Sequence, residues 1–331
     1  MLASVVIVNF NGQHFLEKCL DALQKQELGE PFEVLLVDNG SRDDSVAFVR
    51  RRFPTVRVIE AQSNLGFAGG NNLGIRAALG RYIVLLNNDT QVRAGWLKAL
   101  VSTAEQNPAA GAIAAKLLFV EPPNTIQNAG SLLLSDGSGA DRGFREPDRG
   151  QYDTAEEVFG ACGASVLYRR QMLEDVGVFD ETFFMYYEDT DLNWRMRLRG
   201  WSVLYEPAAV VDHVHAGSSR EWSPFFTFHV DRNRIFVLLK NASLPMAMRS
   251  YAAFVRLALN NATGRAGPGG FREGRPVRDN GRGRVYLKVV GSLLVHLPEM
   301  LVKRSRIRRR RTVPDTEIER WFFPRERWAA R

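Results

Sequence analysis

The 331-residue chain alternates between two hydrophobic periods. Ser4 to Asn9, SVVIVN, is a continuous β-branched run, the pattern of a strand buried on both faces. A polar turn at Asn11-Gly12 follows. Phe15, Leu16, Cys19, Leu20 and Leu23 then fall at helical spacing. Phe32 to Val37, Val56 to Glu60 and Tyr82 to Leu86 predict three more strands. Between them Val46 to Phe53 and Asn71 to Leu79 read as helices. Strands alternating with helices at this spacing predict βαβ units and a parallel sheet, in which ligands bind at the carboxyl ends of the strands.

Beyond residue 110 the pattern is mixed. Ala110 to Leu134 predicts strands, and Ser135 to Thr154, rich in Gly, Asp and Arg, reads as a mobile loop. Val158 to Tyr168 and Val203 to Val211 predict strands, Glu188 to Gly200 a helix, and Arg232 to Leu239 the start of another. Residues 261–284 hold seven Gly and two Pro and read as a link. No internal repeat is visible.

Composition narrows the class. An apolar fraction of 45% with 24% charged residues fits a globular chain and excludes disordered, collagen-like and coiled-coil classes. No run of about 18–20 consecutive apolar residues is present, so no membrane-crossing segment is expected. The N-terminus lacks the basic region and cleavage site of a signal peptide. Two cysteines, Cys19 and Cys162, make neither a disulfide framework nor a CxxC clip, so a reducing cytoplasm is the expected compartment. The net charge of +7 is uneven: residues 1–240 carry 24 Lys+Arg against 30 Asp+Glu, and residues 241–331 carry 20 against 7. This predicts an acidic or neutral working domain over 1–240 followed by a basic helical extension over 241–331.

Polar residues collect where the predicted strands end. Asn9 and Asn11 follow the first, Asp38 the second, and Asn87, Asn88 and Asp89 the fourth. Each has an ordinary explanation as turn or capping chemistry. Each also suits a ligand: Asp38 can accept bonds from a base or ribose edge, and Asp89 with its amides suits a hard cation bound to a diphosphate. Asn64, Gly66, Gly69 and Gly70 form a glycine-rich stretch before a helix. It permits close backbone approach to phosphate, or close helix packing. It is neither a dinucleotide fingerprint nor a P-loop. Glu188, Asp189 and Asp191 crowd a helix start, where the dipole favours acids and where neighbouring carboxylates raise one another's pKa, as a general base needs. His213 and His215 follow the last strand without an HExxH or Cys/His zinc pattern.

The order VVIVNFNG, VDNGS, NLGFAGGNN, LLNND, EDTD and DHVHAGSS resembles the inverting glycosyltransferases of family 2 over residues 3–240. It looks most like the rhamnosyltransferase-type bacterial branch that builds cell-surface polysaccharides. That resemblance implies a GT-A catalytic domain over 1–240, a nucleotide-binding half near 1–110 and an acceptor half near 111–240 sharing one central, mostly parallel mixed sheet flanked by helices. It implies that Asn9, Asn11, Asp38, Asn64, Gly66, Gly69, Gly70, Asn87 and Asn88 surround a nucleotide sugar. Asn87 stands where many members have Asp, so Asp89 is the main carboxylate for Mg2+ or Mn2+. His213 is the implied second metal ligand, because Ser218 follows five residues later; His215 is the alternative. Asp189, with Glu188 second, matches the catalytic base. Tyr187, Asp191 and Trp194 lie on the acceptor side. The activity implied is transfer of a sugar, a deoxyhexose such as rhamnose favoured, from a nucleotide diphosphate sugar to a glycan or polyprenyl-linked acceptor. A nucleotidyltransferase and a non-catalytic membrane- or nucleic-acid-binding protein are the alternatives.

The last quarter carries its own signal. Residues 303–311 place seven cations in nine positions, downstream of Val289, Val290, Leu293, Leu294, Leu297 and Leu301 at helical spacing. A basic amphipathic segment of this kind reads as binding an anionic membrane surface, here the inner face of the cell membrane. The other reading is a charged helix packed on the rest of the protein. Interleaved aromatics are lacking, so nucleic acid is not the expected partner.

Overall fold

A computed structural model describes residues 1–214, 223–262 and 282–329. His215, Ser218 and most of the glycine-rich link lie outside the described residues. The elements in chain order are β1 (Ala3–Asn9), α1 (Gln13–Gln24), β2 (Phe32–Asp38), α2 (Ser45–Arg52), β3 (Arg57–Glu60), α3 (Gly66–Ala77), β4 (Tyr82–Asn87), β5 (Thr90–Val92) and α4 (Trp96–Gln106). Then come β6 (Ala110–Phe119), β7 (Ile126–Asn128), β8 (Ser131–Leu134), β9 (Gly139–Asp141), β10 (Glu156–Glu157), β11 (Ser165–Arg169), α5 (Arg170–Val176), α6 (Glu188–Leu198) and β12 (Ser202–His213). The C-terminal part holds α7 (Pro224–Asn241), α8 (Leu244–Ala262), α9 (Arg282–Arg310), α10 (Asp315–Glu319), β13 (Phe322–Phe323) and α11 (Arg325–Ala329).

These form two compact units. Residues 1–132 and 140–214 make one; 133–139 and the described residues from 223 onward make the other. In the first, strands run in the order β10-β12-β6-β11-β4-β1-β2-β3, with β5 on β12 and β7 on β6. The β3-β2-β1-β4 half is parallel, and β11 is antiparallel to both β4 and β6. Strand alternation divides the core into two layers. Val5, Ile7 and Leu36 pack with Leu16, Leu20, Trp96 and Leu100 on one face. Val6, Leu35 and Val37 pack with Ala68, Ile75, Met172 and Met196 on the other. A sheet covered on both faces explains the continuous apolar runs of β1, β2 and β4.

Two expectations need correction. Helix α3 begins at Gly66, not at Asn71, so the glycine-rich stretch is helical. A Cβ on Gly70 would stand 2.8 Å from Val8 Cγ1, and one on Gly74 2.3 Å from Val6 Cγ1. These glycines let α3 press against β1. Residues 135–154 are not a structureless loop either. Buried Lys116 holds Asp148 and Asp153 at 2.7 Å each, and Arg142 lies over the rings of Tyr152 and Tyr205. Charge pairing and ring stacking replace the apolar periodicity the sequence lacks there.

In the second unit α7, α8 and α9 pack on one another. Ser223 caps α7 by accepting from Phe226 N at 3.1 Å, with Pro224 in the first turn. At its other end Arg304 donates to Leu239 O and Ala242 O at 2.9 and 2.8 Å, and Arg308 donates to Asn241 O at 2.7 Å while pairing with Asp315. Part of the basic run therefore serves the carboxyl end of a helix, where cations are favoured. Val289, Leu293 and Met300 are buried, whereas Leu287, Leu294, Val295, Leu301 and Val302 are exposed. α9 continues through Pro298 and is long and apolar enough to cross a membrane by length and composition alone, a test that core helices of globular proteins also pass.

Candidate active site

The carboxyl ends of β1, β2 and β4 lie side by side, with Asn9 opposite Asp38 and Val8 opposite Asn87. Asn88 Nδ2 donates to Asn9 Oδ1 at 2.8 Å. Ser41 N donates to Asp38 Oδ2 at 3.1 Å, while Asp38 Oδ1 is buried with no partner. Asn11 adopts φ +52° and accepts from Arg42 N at 2.7 Å. Asn64 Oδ1 accepts from Asn39 Nδ2 and Gly66 N at 3.0 and 2.8 Å. Asn9, Asn11, Asn64 and Asn88 thus all tie the strand-end loops together. Asp38 is the member with an oxygen to spare. Between Asn9 and Asn11 the ring of Phe10 is half-exposed, an apolar face at the same rim that sequence motifs did not single out.

Asp89 and His213 meet across the sheet. β5 pairs with the end of β12, placing Thr90 opposite His213, and His213 Nε2 lies 3.1 Å from Asp89 Oδ1. Asn87 Nδ2 is 3.4 Å from the same nitrogen. On the far side of the ring Nδ1 is 2.7 Å from Gln127 Oε1. Gln127 Oε1 is thus placed to accept from Nδ1, while Nε2 faces the Asp89 carboxylate. An imidazole nitrogen and a carboxylate oxygen 3.1 Å apart are spaced as two ligands of one cation would be. With metal–ligand bonds of ~2.1 Å, neighbouring ligands of an octahedron stand ~3.0 Å apart. Among the described residues no three His, Cys, Asp or Glu side chains form a cage. A cation here would complete its shell with water and substrate oxygens, as Mg2+ commonly does.

The acids at the start of α6 are approached by a strained turn. Phe184, Tyr186 and Tyr187 have φ of +64°, +69° and +68°. Phe184 O accepts from Ala68 N at 3.1 Å, and Gly66, itself at φ +70°, leaves room for it. The acid-bearing turn is therefore braced against the start of α3. Asp189 Oδ2 accepts from Gly163 N at 3.2 Å and Oδ1 from Thr190 N at 2.6 Å. Burial raises its pKa, opposed by these bonds. Glu188 is more deeply placed, with Oε2 unpartnered, and burial, then the Asp189 charge, lifts its pKa well above the ordinary carboxylate value. The Cys162 thiol nearby is also raised, by burial and by the Asp141 and Asp189 carboxylates.

Two expected acceptor-side residues lie in the interior. Asp191 is 0% exposed and pairs with Arg195, its Oδ2 2.8 Å from Nε. Trp194 is 2% exposed and meets Phe159 edge to face. Helical geometry turns both away from the face that Asp189 shares. Tyr187 caps the helix in a left-handed conformation.

The sequence pattern of glycosyl transferase family 2 matches residues 4–177. The chain belongs to that family. Over 239 residues the transferase is 31% identical to the N-acetylglucosaminyl-diphospho-decaprenol L-rhamnosyltransferase of Mycobacterium tuberculosis, covering 65% of this chain and 76% of that one. It is 29% identical over 225 residues to the O-antigen biosynthesis protein RfbC of Myxococcus xanthus, covering 65% of this chain and 17% of that protein. Its fold matches GalNAc-T7 solved with UDP, GalNAc and Mn2+, at TM-score 0.62 and 13% identity, over 90% of this chain and 57% of that chain. It also matches residues 1–349 of S. aureus TarS at TM-score 0.54 and 15% identity, over 97% and 92%. The fold is GT-A and the protein is a glycosyltransferase, which sets aside the nucleotidyltransferase and non-catalytic readings.

Proposed function

We propose that this family 2 transferase moves a sugar, a deoxyhexose such as rhamnose, from a nucleoside diphosphate to a glycan or polyprenyl-linked acceptor in cell-surface polysaccharide synthesis. Transfer is metal-dependent and inverts the anomeric centre. The carrying observation is the approach of Asp89 Oδ1 to His213 Nε2 at 3.1 Å, both side chains buried where the strands carrying them end. Mg2+ or Mn2+, when bound there, would offset the charge of the leaving diphosphate. Asp38 accepts from the base or ribose, and Phe10 offers a ring for the base to stack on. Asp189 takes the proton of the acceptor hydroxyl. Burial raises Glu188 more strongly than Asp189, whose backbone hydrogen bonds oppose the rise, and this favours Asp189 as the ionised member of the pair. The sugar identity leans on the Mycobacterium tuberculosis relative, whose name specifies L-rhamnose.

Calorimetry of UDP and dTDP with Mn2+ and with EDTA tests the metal assignment; equal affinity in both would sink it. Asp189→Asn is expected to lower turnover ~10²–10⁴-fold with donor affinity near wild type. If Glu188→Gln is the inactive variant instead, the base is Glu188.

We further place the enzyme peripherally on the inner membrane face, through the exposed Leu287, Leu294, Val295 and Val302 of α9 and the following Arg306 and Arg309. Co-sedimentation with anionic and neutral vesicles tests this. Arg306→Gln/Arg309→Gln is expected to weaken anionic binding. Equal recovery with both vesicle types argues for packing alone.

A further inference from the structure

We propose that Gln127 is a positioning residue, which fixes the His213 ring so that Nε2 points at the cation site shared with Asp89. This rests on the metal reading above and adds to it a residue that holds the ligand rather than touching the metal.

Two independent features support it. The first is the contact itself. Gln127, His213 and Asp89 are each 6% exposed, and the Gln127 Oε1 to His213 Nδ1 distance of 2.7 Å is that of a good hydrogen bond. An imidazole can present either nitrogen by rotating half a turn. An acceptor fixed at Nδ1 selects the orientation in which Nε2 faces Asp89. Partners of this kind on the second ring nitrogen set tautomer and direction in metal-binding histidines generally.

The second feature is the strand that supplies Gln127. β7 pairs antiparallel with β6, with Asn128 opposite Leu117 but Ile126 opposite Leu118. Gln127 is therefore the extra residue of a bulge, left out of the ladder. Bulges of this kind re-aim a side chain and recur beside active sites. β6 also pairs with β12, bringing Phe119 opposite His213. The bulge thus lies one strand away from the histidine and turns an amide toward it. Ile126, Gln127 and Asn128 are all buried, so a polar residue here must find a buried partner.

The test has two readouts. In metal-free protein with EDTA, imidazole 15N NMR should show His213 protonated at Nδ1 in wild type. That signature should be lost in Gln127→Leu and kept in Gln127→Glu, which retains an acceptor at the same reach. Mn2+ titration with UDP, followed by electron paramagnetic resonance, should show Gln127→Leu weakened ~10–100-fold. Gln127→Glu should bind at least as well as wild type, and UDP affinity in EDTA should be the same in all three. Should Gln127→Leu not fold, Gln127→Asn, whose amide is one methylene shorter, takes its place with the same expectation. Wild-type His213 protonated at Nε2 and not at Nδ1 would overturn the proposal. So would Gln127→Leu binding Mn2+ like wild type while His213→Ala does not; the metal assignment would then stand without Gln127. If wild type shows no saturable Mn2+ binding, the metal reading fails, and the proposal with it.

Discussion

Replacing Asp191 by alanine separates an interior role from a role in the acceptor site. Asp191 is wholly buried, and Arg195, 9% exposed at its side chain, reaches it through Nε at 2.8 Å. The remaining guanidinium nitrogens donate to Val176 O at 3.0 Å, Gly177 O at 3.2 Å and Val178 O at 2.8 Å. The pair thus fastens α6 to the turn that follows α5. Removing one partner of a buried ion pair leaves an uncompensated charge, at a cost of about 3–5 kcal/mol. For a unit of this size each kcal/mol lowers the melting temperature by ~2–4 °C, so a drop of about 6–20 °C is expected. Thermal melts of wild type, Asp191→Ala, Arg195→Met and the double variant measure it. The double variant should regain part of the loss, because it no longer buries a lone charge. A variant that melts with wild type yet has lost turnover would refute this and return Asp191 to the acceptor site.

Gly66→Ala places a Cβ 2.3 Å from Phe184 O at a φ of +70°; the left-handed penalty and the overlap together predict about 2–5 kcal/mol of lost stability, with reduced turnover below the melt. Unchanged melting would show that the turn yields easily. Glu188→Gln should stabilise the protein increasingly as pH rises above the ordinary carboxylate value of 4.5. Above the ordinary value of 4.5 the unfolded chain releases a proton that buried Glu188 retains, so wild-type stability falls through that window. A melting offset independent of pH contradicts this. Burial pushes the Cys19 thiol up to about 12 and Cys162 well above its ordinary value, so neither should react with Ellman's reagent at pH 8 until the protein unfolds; rapid labelling of the native enzyme would contradict it.

β1, β2 and β4 were legible because a strand covered on both faces must be apolar at consecutive positions, and the strand-end carboxylates Asp38 and Asp89 followed from where those runs stop. The start of α3 was hidden because glycine reads as loop, whereas Gly70 and Gly74 are there to let a helix touch β1. Left-handed Phe184, Tyr186 and Tyr187 could not be read, since aromatic residues rarely take that conformation and only the packing of the finished fold imposes it. Gln127 belongs to no motif; its meaning comes from a bulge in strand pairing, which one-dimensional patterns do not encode. The resemblance puts Asp191 and Trp194 on the acceptor side with Tyr187, but motif order does not encode which way a helix turns its residues, and α6 turns both inward.

The bonds from Arg304 and Arg308 to the last carbonyls of α7 bear on the fate of incomplete chains. A polypeptide released before α9 would carry α7 without its terminal cations and without Val289, Leu293 and Met300 beside it. Apolar side chains such as Phe236, whose ring lies 5.6 Å from that of His296, would lose that neighbour. Such a product displays the sticky surface that chaperones hold and proteases degrade. A chain cut short before the arginine-rich stretch is therefore expected to be degraded faster than the full one, which a pulse-chase comparison of the two would measure.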